Sequence, residues 1–307
     1  MIYTVTLNPV LDKTLTVPAI TLNEVLRATA VQVDWGGKGL NVSRALLALG
    51  MESIVFGLAG GAVGQQIEEG MTHLGIATDF VHIAGETRTN VVVIDAQAKY
   101  HLKVNEPGPQ VSRAELDALT AKIEQCARRG DTWVFCGSLP PGVPTDTYAR
   151  LVNLVKAKGG RACLDTSGEA LYLGCQAAPF LVKPNQEEIA QAVGMTVDDE
   201  SSAKRAVDHL LAMGIEMVAL SLGAAGLLVA TSSDAVRVIP PVLPILNPVG
   251  AGDAALAGIL WALAQGMALP EIARWGAATG TAAAMTAGTQ VGSMELVASL
   301  VGKMTIM

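Results

Sequence analysis

The chain has 307 residues, 50% of them hydrophobic but only 4% aromatic, and a formal net charge of −7. That length and apolar content can bury the core of one large domain, or of one domain with a small appendage. The acidic balance, with no basic run anywhere, argues against nucleic acid or an anionic membrane as a partner.

An aliphatic, Ala-rich core suits helices packed closely on a parallel sheet. Cys126, Cys136, Cys163 and Cys175 include no Cys-x-x-Cys pair. A disulfide framework or zinc site is therefore not expected, and a reducing cytoplasm is the default location. The N-terminus enters a strand at Ile2, and Asp12 and Lys13 follow soon after, a pattern unlike a signal peptide. The uncharged stretch from Ala254 to Pro270 holds Gly and Gln, and the one from Trp275 is rich in Gly and Thr. Both read as buried helices rather than membrane spans.

In chain order, Trp35-Gly36-Gly37-Lys38-Gly39-Leu40-Asn41 opens a helix whose apolar positions Val42, Ala45, Leu46 and Leu49 fall at helical spacing. Ile54–Leu58 reads as a strand and Val63–Leu74 as a helix. Ser112–Arg128 reads as a helix with a capping box formed by Ser112 and Glu115. Trp133–Cys136 (strand), Thr145–Lys158 (helix), Ala162–Asp165 and Phe180–Val182 (strands) follow. Asn185–Val193 and Ser201–Met213 (helices), Met217–Ser221 (strand), and the helices Ala251–Gln265 and Pro270–Ala287 complete the pattern. Such alternation predicts a parallel sheet covered on both faces, an α/β fold. Two segments break the alternation. Thr14–Asp34 and Thr89–Lys103 read as short strands without helices between them, a small sheet projecting from the core as a lid. The whole is expected to be a single unit over 1–307, with a lid formed by roughly 14–34 and 89–104.

Asn247-Pro248-Val249-Gly250-Ala251-Gly252-Asp253 carries the sharpest chemical signal. The helix after it is apolar all round and is therefore buried. Its first N–H groups need a partner, and an anion suits the positive end of the helix dipole. A carboxylate beside an anion hole provides a base for an attacking hydroxyl and donors for a transferring phosphoryl group. The competing reading is a tight turn with Asp253 as an N-cap. At the other glycine site, Lys38 either adds a cation to a ligand loop or is a solvated lysine.

These two glycine sites resemble the two signatures of the PfkB (ribokinase-like) carbohydrate kinase family. The resemblance extends through Thr6-Leu7-Asn8-Pro9-Val10-Leu11-Asp12, Gly85-Glu86-Thr87-Arg88, Asn105-Glu106-Pro107-Gly108-Pro109 and Gly137-Ser138-Leu139-Pro140-Pro141-Gly142. It continues through Asp165-Thr166-Ser167-Gly168, Lys183-Pro184-Asn185-Gln186-Glu187-Glu188 and Ser221-Leu222-Gly223. It covers nearly the whole chain and is greatest to the 1-phosphofructokinase and tagatose-6-phosphate kinase branch. It implies a ribokinase-like three-layer α/β/α fold with a mainly parallel sheet and a small β-sheet lid.

The resemblance also implies roles. Asp253 matches the catalytic base, and Gly250, Ala251 and Gly252 match the anion hole. Asp12, Arg27, Gly37, Lys38, Asn41, Arg88, Asn90, Lys103 and Ser138 match or adjoin substrate positions, with Arg88, Arg27 and Ser138 at a substrate phosphate. Lys183, Asn185, Ser221, Gly223, Gly226 and Asn247 fall to ATP. Glu188 and Asn185 match the pattern that positions Mg²⁺, Glu188 through water. The implied reaction is ATP- and Mg²⁺-dependent phosphorylation of a ketohexose monophosphate. Fructose 1-phosphate leads, and tagatose 6-phosphate and then fructose 6-phosphate are the alternatives. Pro248 departs from the Ser or Thr common before Val-Gly-Ala-Gly-Asp and points to tagatose 6-phosphate, whereas Asn105–Pro109 points to fructose 1-phosphate. A homodimer through the lid is also implied. A dinucleotide-binding oxidoreductase is disfavoured, because no Gly-x-Gly-x-x-Gly follows the first strand. A catalytically silent sugar-phosphate sensor on the same fold remains a rival reading.

Overall fold

The computed structural model describes residues 1–96, 100–286 and 291–307. Ala287, the expected last residue of the final long helix, and positions 97–99 of the second lid segment lie outside the described residues.

The strands are β1 (Ile2–Thr6), β2 (Val10–Val17), β3 (Ala30–Gly36), β4 (Ile54–Gly60), β5 (Ala77–Ile83), β6 (Arg88–Asp95) and β7 (His101–Val104). They continue with β8 (Thr132–Cys136), β9 (Arg161–Asp165), β10 (Leu181–Val182), β11 (Met217–Ser221), β12 (Leu227–Thr231), β13 (Ala235–Ile239) and β14 (Thr305–Ile306). The helices are α1 (Lys38–Ala48), α2 (Gly61–His73), α3 (Arg113–Cys126), α4 (Thr147–Ala157) and α5 (Gly168–Gln176). After them come α6 (Gln186–Val193), α7 (Glu200–Ala212), α8 (Ala251–Ala264), α9 (Leu269–Ala284) and α10 (Met294–Val301).

Among the described residues, ten strands form one sheet in the order β14-β13-β12-β11-β10-β9-β8-β1-β4-β5. From β11 to β5 every pairing is parallel, and β12, β13 and β14 add an antiparallel edge. Strand residues alternate between the two faces. Trp133 and Phe135 pack with α3, α4, α5 and α7, while Val134 and Cys136 pack with α1, α8 and α9. The result is three layers, helix on sheet on helix. The antiparallel edge was not among the sequence expectations, because residues 227–239 form a hairpin around Ser232–Asp234 rather than another strand–helix repeat.

The expected capping box of α3 forms, with Ser112 Oγ accepting the Glu115 N–H at 3.3 Å and Glu115 Oε2 accepting the Ser112 N–H at 2.7 Å. Helix α8 is buried from Asp253 to Leu260. It lies so close to α9 that a Cβ on Gly258 would overlap Thr279 Oγ1 and the Trp275 carbonyl.

A second sheet has the order β3-β2-β6-β7. It begins at Val10 rather than Thr14. Period-two alternation gives it two unlike faces. Asp12 stands opposite Asp34 and Asn90, and Lys103 opposite Val92, on the inner face. The outer face carries Val31, Val33, Leu102 and Val104, which are 58%, 44%, 50% and 63% exposed.

Candidate active site

Strand order reverses between β1 and β8: the chain winds through β4 and β5 on one side, and through β8 to β11 on the other. Ligands of open α/β sheets bind outside the carboxyl ends of the strands at such a switch point. Those ends deliver Asn8 after β1, Ser138 after β8, Asp165 at the end of β9 and Lys183 after β10.

The N-terminus of α8 faces the same cleft. Gly250 is its N-cap in the left-handed region at φ 81°, where a side chain would be strained. Asn247 Oδ1 accepts the Val249 N–H at 3.0 Å and shapes the entry to the helix. The Ala251 N–H bonds Pro248 O and the Ala254 N–H bonds Gly250 O. The amides of Gly252 and Asp253 fall in the first turn, where no intrahelical carbonyl can reach them. Asp253 is therefore not the cap. It lies inside the first turn, 7% exposed, and its Oδ2 accepts from Asn41 Nδ2 at 2.8 Å. Burial, and then the Asp165 carboxylate, push its pKa up to about 6 against the pull of Lys38, Asn41 and Lys183.

Beside it lies a compact charge network. Lys38 Nζ donates to Asp165 Oδ1 at 2.7 Å and to Glu188 Oε1 at 3.0 Å, and Lys183 Nζ lies 3.0 Å from Asp165 Oδ2. Burial opposes the Lys38 charge, but Asp165, Glu188 and Asp253 outweigh it and hold the ammonium well above its usual pKa. Burial also opposes the Asp165 charge, and Lys183 and Lys38 outweigh it, so that carboxylate stays below its usual value. A Cβ on Gly252 would stand 3.3 Å from Lys183 Nζ. A lysine ammonium at the positive end of a helix makes a strong local field for an anion. Lys38, grouped with the substrate residues from sequence, is held in the cleft by Asp165 and Glu188.

Asn185 and Glu188 form the capping box of α6. Asn185 Oδ1 accepts the Glu188 N–H at 2.7 Å, and Glu188 Oε2 accepts the Asn185 N–H at 2.9 Å. With Oε1 on Lys38, both Glu188 oxygens are engaged, and no group of three or more His, Cys, Asp or Glu among the described residues could hold a metal ion. These donors fit a magnesium ion held at one remove through water, which is how Mg²⁺ prefers to be held.

On the acceptor side, Asn90 Nδ2 donates to Asp12 Oδ1 at 3.0 Å. Burial raises the Asp12 pKa, opposed by Asn90 and Lys103. Arg88 donates to Glu106 O at 3.0 Å and to Asn8 O at 3.1 Å, which leaves three of its five N–H groups. Asn8 Nδ2 reaches Ser138 Oγ at 3.3 Å. Asn8 Oδ1, Asn41 Oδ1, Asn90 Oδ1 and Arg88 Nε are all buried without a partner. Buried polar groups are normally satisfied, so this cleft is built for a polar ligand. Gly37, at φ 124°, is the N-cap of α1 and lies against Thr6.

Arg27 is not part of this cluster. It is exposed in the loop between β2 and β3, next to the Thr16–Ala30 pair, whereas Arg88 pairs with Val10 at the other end of β2. Six residues at about 3.3 Å each separate Thr16 from Val10 by about 20 Å along β2. Lys103 is exposed on the inner face, near enough to act on Asp12 through its charge. Ser221 Oγ bonds Pro184 O at 3.2 Å. Gly223, at φ 58°, opens a 3-10 turn that ends before Gly226, at φ 100°.

Sequence reasoning passed over two residues of the cleft. Asp165 joins both lysines, and Asn8 links Arg88 to Ser138. The available signal was position: each stands at or just beyond the carboxyl end of a central parallel strand.

The three layers, the small second sheet and a buried helix N-terminus at the switch point together make a ribokinase-like fold. The chain belongs to the pfkB family carbohydrate kinases, whose model matches residues 5–296. It is 37% identical to a 1-phosphofructokinase of Rhodobacter capsulatus over 306 residues, 99% of this chain and 97% of that one. It is 32% identical to a 1-phosphofructokinase of Bacillus subtilis, covering 100% of this chain and 99% of the other. The crystal structure of phosphofructokinase-2 from Escherichia coli in complex with fructose-6-phosphate superposes with a TM-score of 0.91 at 30% identity, covering 98% of both chains. Among the described residues, no helix is long and apolar enough to cross a membrane.

Proposed function

We propose that this carbohydrate kinase transfers the γ-phosphoryl group of ATP to fructose 1-phosphate, giving fructose 1,6-bisphosphate. The observation that carries the reading is Asp253: a buried carboxylate with pKa about 6, held through Oδ2 by Asn41, in the first turn of the helix whose free amides face the same cleft. Relatives 31–37% identical carry the name 1-phosphofructokinase, which favours fructose 1-phosphate over tagatose 6-phosphate.

Asp12 and Asn90 hold sugar hydroxyls, and Arg88 with Ser138 takes the phosphate already on the sugar. Arg suits that task because its fork matches phosphate geometry. Asp253 removes the proton of the accepting hydroxyl. The freed oxygen attacks the γ-phosphorus in line, the β–γ bridging bond breaks, and ADP leaves with those electrons. The amides of Gly252 and Asp253 face the charge of the transferring group, a type of donor worth about 3–4 kcal/mol each. Lys183 adds a full cation beside them. Ser221, Gly223 and Gly226 line the nucleotide phosphates. Mg²⁺, reached through water from Glu188, would neutralise phosphate charge when bound. The inner face of the small sheet closes over the sugar as a lid. Its exposed apolar outer face meets a second copy in a homodimer, because such a face and its edges need cover. A monomer by light scattering at assay concentration would refute the dimer.

The test is ADP release with Mg-ATP against fructose 1-phosphate, tagatose 6-phosphate, fructose 6-phosphate, fructose and ribose, with Asp253→Asn alongside. A dominant kcat/KM for fructose 1-phosphate, and a loss of about 10²–10⁴-fold in the variant, are expected. No turnover of any sugar would bring the silent-sensor reading forward.

A further inference from the structure

Apart from the cleft, a cavity of about 280 Å³ lies between α7 and the β11–β13 edge, on the face of the sheet away from α8. Its walls include Leu222, Ala225 and Arg237. Arg237 donates to the Ala225 carbonyl twice, from Nη2 at 3.2 Å and from Nε at 3.4 Å. Its Nη1 lies 3.5 Å from Glu200 Oε2 in the first turn of α7. Its backbone is fixed to the chain terminus, accepting from Met307 N at 2.9 Å and donating to Met307 O at 3.4 Å. The guanidinium is therefore anchored from two directions before it reaches Ala225.

Ala225 ends the turn Gly223–Ala225, and Gly226 follows it. The turn closes on itself through Leu222 N–H to Gly226 O at 2.8 Å. On the other side, the backbone of Gly226 is packed so tightly on Val238 O that a Cβ would overlap it. Gly223, by contrast, has nothing within 4 Å of its Cβ position and faces open space. The turn thus has an open side and a clamped side, and a planar fork holding one carbonyl at two points fixes the orientation of the peptide plane.

We propose that Arg237 is a positioning residue for the nucleotide: it touches no substrate, but it sets the Gly223–Gly226 turn so that its backbone meets the phosphates of ATP. The proposal rests on the reading of Ser221, Gly223 and Gly226 as nucleotide positions. The test is steady-state kinetics on the full chain, varying Mg-ATP and fructose 1-phosphate in turn. Arg237→Gln should raise KM for ATP roughly ten- to a hundredfold, the fold-change of a lost charge-assisted bond. KM for the sugar phosphate and kcat should stay within about twofold. Arg237→Lys keeps one donor and should recover part of the loss. Glu200→Gln, an exposed change that removes only the outer anchor, should give a smaller rise in KM for ATP and carries the test should Arg237→Gln fail to fold. Gly223→Asp is the control, since its carboxylate would stand in the open space where phosphates are expected. If Gly223→Asp raises KM for ATP while the Arg237 and Glu200 variants leave it unchanged, the positioning role is overturned and the nucleotide reading stands. If Gly223→Asp also leaves it unchanged, the nucleotide reading itself fails. Equal rises in both KM values for the Arg237 variants would mean general damage and would also overturn the role.

Discussion

Replacing Asp253 by Asn should stabilise the protein while destroying its activity. In the fold the carboxyl titrates at about 6 instead of its ordinary 3.8, because burial and Asp165 oppose its charge. The shift is about 2 units, and at 1.36 kcal/mol per unit, ionising Asp253 costs the native state about 3 kcal/mol. The sign follows from linkage. A carboxyl whose folded pKa is raised favours the fold while protonated, below the unfolded value, and that contribution disappears as pH rises through about 6. The amide of Asn is never charged and keeps an oxygen for Asn41 Nδ2, so the variant retains the contribution at all pH values. Against wild type it should gain about 3 kcal/mol at pH 8, and about half of that at pH 5. At about 2.1 cal/mol/K per residue, 307 residues turn the full gain into a rise in Tm of about 5 °C. Urea or thermal unfolding of the unliganded proteins at pH 5, 6.5 and 8 measures this. A variant no more stable than wild type at pH 8, or a gain that does not change with pH, would refute the reasoning that Asp253 is held charged against its environment for catalysis.

The same carboxyl must be ionised to act as base, so kcat/KM should fall about tenfold per unit below pH 6 and level off above it, with acceptor concentration corrected for its own phosphate ionisation. Arg88→Lys, which loses the planar fork, should raise KM for fructose 1-phosphate by about tenfold or more with little change in KM for ATP; equal KM values would remove Arg88 from the phosphate site. Gly258→Ala should destabilise the fold by about 1–3 kcal/mol in urea unfolding, because its methyl meets Thr279 and the Trp275 carbonyl across the α8–α9 contact.

Local sequence determined a large part of the molecule. Strand–helix alternation gave the parallel core, and the capping signal of Ser112 and Glu115 marked the start of α3. The apolar run after Gly252 required a buried helix end with free amides, and that placed Asp253 at an anion site. These features depend on neighbours within a few residues, and a linear reading can see them. What it could not see depends on which strand ends converge. Asp165 became the hub of Lys38 and Lys183 because β9 lies between β8 and β10, and Lys38 reaches both Asp165 and Glu188 because α1 starts beside the ends of the central strands. Arg27 and Arg88 looked like partners in sequence, but antiparallel and parallel register put them at opposite ends of β2. The Asn185–Glu188 spacing satisfies both a metal pattern and a helix cap; the hydrogen bonds form the cap, so any metal is held at one remove through water. The pKa of Asp253 likewise belongs to the tertiary structure alone, since burial and a second carboxylate from a distant strand set it, and neither acts before the chain has folded.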